Sequence, residues 1–132
     1  MDAELHELGA EVHRVAQRLE AATDRLYKAS TRLGQVSYAH DLAAAKTWQT
    51  VRTELGSRDG DGDKRLSRDF DAEVLLRMHD DVERLYLAKA EHDGTKASVS
   101  SLGRQLTAAQ SRFKAAREEF AAVHYGPSGV SP

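Results

Sequence analysis

The chain has 132 residues, 40% of them hydrophobic and 30% charged, with a net charge of −2 and no cysteine. This balance predicts a single folded domain, and the missing cysteine excludes disulfides, thiolate metal sites and thiol nucleophiles together. No run of about 18 apolar residues occurs, and the start MDAELHELGAEVHR lacks the basic beginning and apolar centre of a signal peptide, so a cytoplasmic protein without membrane contact is expected.

No proline precedes Pro127, which makes long helices the default. From Leu5 an apolar stripe recurs at alternating steps of three and four: Leu5, Leu8, Val12, Val15, Leu19, Ala22, Leu26, Ala29, Leu33, Val36, His40 and Ala43. That alternation is the seam of a coiled coil and predicts a helix over about 3–55. A loop over about 56–66 follows, rich in glycine and aspartate. Ser67 is a fair N-cap for a returning helix over about 67–123. Its stripe begins Leu75, Met78, Val82, Leu85 and Ala88, with a skipped step near Leu85. It continues through the polar rungs His92 and Thr95 to Val99, Leu102, Leu106, Ala109, Phe113, Ala116, Phe120 and Val123. Asp93-Gly94 is a turn signal that could bend or break this helix, but the rungs stay in phase across it, so one bent helix is favoured. Beyond Val123, Gly126 and Pro127 stop the helix, leaving 125–132 as an expected disordered tail behind a domain of residues 1–124.

Pairing the two stripes antiparallel sets Leu5 against Ala116, Val12 against Ala109 and Ala22 against Val99, large against small. This register puts the apex of the hairpin within Asp59 to Asp63 (DGDGD). The predicted fold is therefore all-α: an elongated, coiled-coil-like antiparallel helical hairpin. The apex has a second reading, because Asp59, Asp61 and Asp63 alternate as in a calcium loop, with Leu66 at position eight. Lys64 stands where that loop needs glycine, however, and Phe70 where it needs glutamate, so a turn is the better reading. No metal or other cofactor is expected. The six histidines form no cluster, and none has a second ligand at the spacing of a zinc helix.

Two groups of side chains are candidates for binding. Tyr38, Trp48, Phe70 and Met78 gather near the apex, either as a small core that widens the hairpin or as a surface for a protein partner. The segment Lys96 to Arg117 has five basic and no acidic residues, and the register lays it beside the basic residues of the first helix. Arg14, Arg18, Arg25, Arg32, Arg104, Arg112, Lys114 and Arg117 would then form a basic band able to grip the phosphates of a nucleic acid. No glycine-rich phosphate loop, nucleophile elbow or set carboxylate pair is present, so no enzymatic activity is expected.

Tyr38, Ala39, Ala43, Ala44 and Trp48, then a charged loop, then Ala108 to Arg117 (AAQSRFKAAR), make the chain resemble small all-helical accessory proteins of tailed bacteriophages and prophages, especially of actinobacteria. Arginine outnumbers lysine 13 to 6, which suits a high-GC bacterial host. Such proteins generally have no assigned activity, and some are encoded beside recombination or single-strand-binding genes, so the resemblance implies no catalytic residue. A second likeness, to WXG-type secreted hairpins, stops at Trp48, which Gln49 and Thr50 follow without the glycine; no Tyr-x-x-x-Asp/Glu signal follows the second helix either. The expected function is a non-enzymatic interaction or assembly module that forms a homo-oligomer or docks on a protein partner in a bacterial host cell. An accessory factor in phage DNA recombination or replication is the alternative, and a WXG-like secreted hairpin the third.

Overall fold

Helix α1 (Asp2–Leu55) meets no proline and runs until Gly56. That glycine has φ +74, in the left-handed region, and its N–H donates to the Arg52 carbonyl at 3.1 Å, a bond that closes the last turn. Helices α2 (Ser67–Arg77) and α3 (His79–His124) complete the computed structural model, in which residues 2–56, 62, 64 and 66–124 are described. The chain is an all-α helical hairpin in which α1 and α3 pack together. The apex predicted within Asp59 to Asp63 and the tail predicted at 125–132 lie outside the described residues, apart from Gly62, whose φ of +84 suits a turn. Among the described residues no helix is long and apolar enough to cross a membrane.

Every position expected on the α1 seam, from Leu5 to Ala43, is buried or half-buried. Nine hydrophobic residues of the described chain are buried, and four of them, Ala22, Ala29, Ala88 and Ala109, are alanine. A seam of this kind lets backbones approach closely but covers few large side chains, so it leaves apolar surface elsewhere.

The chain divides into two compact units. One combines Met1–Tyr27 with Gly94–Pro132. Val15, Ala22, Leu102 and Ala109 are its buried residues, and the ring of Phe113 lies over Gly9, where an added Cβ would come within 3.3 Å of it. The expected register set Phe113 opposite Leu8, the residue before Gly9, so this contact fits an antiparallel pairing. Arg112 instead donates from Nη2 to Glu11 Oε1 at 2.7 Å.

The other unit is Lys28–Asp93. Ala29, Val51, Phe70, Met78 and Ala88 are buried in it. Trp48 meets Phe70 edge to face, with ring centroids 5.4 Å apart and planes at 68°. Arg77 bridges Glu54 at 2.6 Å and Glu73 at 3.0 Å, and these hydrogen bonds, Glu54 foremost, raise its already high pKa. The bridge is solvent-exposed and adds little stability.

Three details of the returning segment differ from expectation. The N-cap of α2 is Leu66, not Ser67; its N–H donates to the Asp69 carboxylate at 3.1 Å, so a side chain three residues on satisfies the helix start. An irregular residue interrupts the helix at Met78, with φ −101 and ψ 16, where none was expected, while α3 runs as one helix through Asp93-Gly94, as the in-phase rungs favoured. His92 and Thr95 are both half-buried, and the phase of the seam they hold overrides the local turn signal. Finally, Val74 and not Leu75 occupies the seam: Val74 is half-buried, whereas Leu75 is 61% exposed.

Candidate functional site

The aromatic group proposed as a partner surface is divided. Phe70 and Met78 are buried and Trp48 is half-buried against Phe70, so these three build the core of their unit. That corrects their reading as an open docking surface. Tyr38 remains available, 72% exposed.

An apolar flank on α2 and α3 was not foreseen as a unit. Leu75, Val82 and Tyr86 are spaced by seven and four residues, and backbone bonds from Met78 to Val74 and from Val82 to Met78 carry the helical spacing across Met78, so the three lie on one side, 61%, 37% and 71% exposed. Leu76 and Leu87, eleven residues apart, lie together on another face and are exposed as well. The sequence signal was present in the run Val74-Leu75-Leu76, which offers more apolar residues than one seam can take.

The cations assigned to a single band differ in their surroundings. Arg112 is engaged by Glu11, and the Arg117 guanidinium lies 5.6 Å from the centroid of the Phe113 ring. Arg32 belongs to the other unit. Neither Arg104 nor Lys114 lines the groove that Arg18 and Arg25 share with the facing helix. That groove has a volume of about 340 Å³. Ala21, exposed, and Leu102, buried, add apolar lining, and Ser98, Ser101 and Gln105 of α3 complete it. An adjoining depression of about 310 Å³ shares Arg18 and Ala21 and adds Arg14 and Gln17.

One group capable of ligating a metal was missed in the histidine survey. His79, Asp80 and Glu83 bring their ligand atoms within 4.8 Å of one another, and Glu83 does stand four residues after His79. All three are exposed, and acidic residues in the first turn of α3 are accounted for by the positive end of its dipole.

Compared with protein-family models, with curated proteins and with solved structures, the chain matches none. Its function is therefore read from these side chains.

Proposed function

We propose that the protein is a non-enzymatic assembly module that pairs with a second copy of itself through the Leu75, Val82 and Tyr86 flank. The observation that carries this reading is the exposure of those three side chains on one side of α2 and α3. A thin, alanine-rich seam leaves that flank uncovered, and covering a large apolar side chain is worth about 1.5–3 kcal/mol.

The occupant is argued from the flank's own pattern. A two-fold antiparallel pairing centred between Asp80 and Asp81 sets Leu75 on the Tyr86 of the second copy and Val82 on His79. The same operation brings Arg68 to Asp93 and Asp71 beside Lys89. Arg68, Asp71, Lys89 and Asp93 are all exposed. Leu75–Tyr86 contacts on either side of the Val82–His79 pairs, closed by opposite charges at both ends, are self-complementary, as a two-fold interface requires. The resemblance to helical phage accessory proteins suits such a role in assembly.

Light scattering on eluting protein at tens of micromolar tests it. The expected mass is twice the 14.6 kDa of one chain. Tyr86→Glu should give the single-chain mass, Arg68→Asp should weaken the dimer, and adding Asp93→Arg to Arg68→Asp should restore it. A wild-type protein that elutes at the single-chain mass, or a double swap no better than the single one, would refute the pairing.

A further inference from the structure

We propose that the unit made of Met1–Tyr27 and Gly94–Pro132 carries a separate binding groove for a chain of phosphoryl groups, walled by Arg18 and Arg25 of α1 and by Ser98, Ser101 and Gln105 of α3.

Neither arginine has an acidic partner on its own helix. On a helix the neighbours that neutralise a guanidinium stand three or four residues away. For Arg18 these are Arg14, Val15, Ala21 and Ala22; for Arg25 they are Ala21, Ala22, Lys28 and Ala29. None is acidic. The facing segment of α3, Lys96 to Arg117, has no carboxylate either. Glu11, the one acidic residue three positions from Arg14, accepts instead from Arg112 at 2.7 Å. Among the described residues, neither Arg18 nor Arg25 has a carboxylate within 4.0 Å.

Two guanidiniums without a carboxylate partner thus share one concavity, an arrangement that concentrates positive potential. The opposite wall supplies neutral donors: two serine hydroxyls, both side chains half-buried, and the Gln105 amide, which donates to Ser101 Oγ at 3.4 Å. Two guanidinium forks together with hydroxyl and amide donors offer more hydrogen bonds than the two oxygens of a carboxylate can accept, and they suit phosphoryl oxygens. Arg18 and Arg25 are seven residues apart, a rise of roughly 10 Å along the helix. That span exceeds one phosphate and fits a chain of them, either a free oligophosphate or the backbone of a nucleic acid. The groove has no aromatic lining for bases to stack on, so recognition would be of phosphates and not of sequence.

The test uses the full chain at low salt with two probes, a labelled mixed-sequence single-stranded DNA read by anisotropy and inorganic tripolyphosphate read by calorimetry. Arg18→Gln with Arg25→Gln should weaken binding at least tenfold. It should also lower the salt slope of DNA binding by about 1.4, the share of two single-strand phosphate contacts. Arg104→Gln with Lys114→Gln removes the same charge outside the groove and should weaken binding less than threefold. Binding of only one probe, abolished by the groove pair, would support the site and identify the source of the phosphates. Equal weakening by both pairs, or no binding of either probe by the wild type, would overturn it. The self-pairing flank belongs to the other unit, so Tyr86→Glu should leave these affinities unchanged and the two proposals fail separately.

Discussion

Replacing Gly94 by alanine measures whether α3 is one helix through Asp93-Gly94. Gly94 sits inside His79–His124, and an added Cβ would meet no atom within 4 Å, so no steric cost opposes the change. Alanine is favoured over glycine in a helix interior by about 0.8–1 kcal/mol, partly because glycine loses more chain entropy on folding. Gly94→Ala should therefore stabilise the fold by about 1 kcal/mol and raise Tm by about 3–6 °C. Gly56 supplies the control of opposite sign: it too has open space around a Cβ, but its φ of +74 is a conformation that costs an L-residue about 1–2 kcal/mol. Urea denaturation at fixed protein concentration, followed by circular dichroism, gives both numbers as midpoint shifts with an unchanged slope. Were Asp93-Gly94 a turn with glycine in the left-handed region, Gly94→Ala would lose stability just as Gly56→Ala does. That result would refute the continuous helix.

Gly9→Ala should gain less than Gly94→Ala, about 0.5 kcal/mol, because the new methyl group sits 3.3 Å from the Phe113 ring and the ring must give way slightly. Gly9→Leu should instead lose about 1–3 kcal/mol by overpacking the same contact, measured by the same denaturation. Millimolar calcium should leave Tm unchanged: Lys64 and Phe70 stand at two demanding positions of the loop, and Phe70 is buried against Trp48. A site with Kd of about 10⁻⁴ M would add roughly 1.4 kcal/mol at about 1 mM calcium, a shift that a thermal scan detects and that would restore the metal reading.

The first helix was legible because its seam repeats for more than five heptads, and no local signal competes with it until Gly56. The returning helix was harder where local and global signals disagree. Val74-Leu75-Leu76 offers three consecutive apolar residues, and spacing alone cannot choose among them. Counting back from Val82 selects Leu75, whereas the packing of Phe70 on Trp48 and the burial of Met78 bring Val74 to the seam. Asp81, half-buried, and Val82, 37% exposed, then straddle the next rung, beside the skipped step near Leu85. At Asp93-Gly94 the disagreement resolves the other way. A two-residue turn preference is weak beside a seam that holds its phase from Ala88 to Phe120, and the helix continues.

Charge was legible as composition but not as pairing, and that difference decides the groove. The absence of acidic residues three or four positions from Arg18 and Arg25 is written in the sequence and identifies two cations without partners on their own helix. What the sequence cannot supply is the partner across the hairpin. The antiparallel register lays the Phe113 ring over Gly9 and lets Arg112 reach Glu11, so one arginine of the supposed band is neutralised. The same register sets Ser98, Ser101 and Gln105 opposite Arg18 and Arg25, where a carboxylate would have closed the site as a salt bridge. A single acidic residue introduced there should accordingly do what Glu11 does for Arg112. Ser101→Glu should abolish binding of tripolyphosphate while leaving the fold intact, because the new carboxylate satisfies the guanidiniums that a phosphoryl chain would otherwise recruit. Unchanged binding in that variant would mean that the phosphates, wherever they bind, do not enter between the two helices.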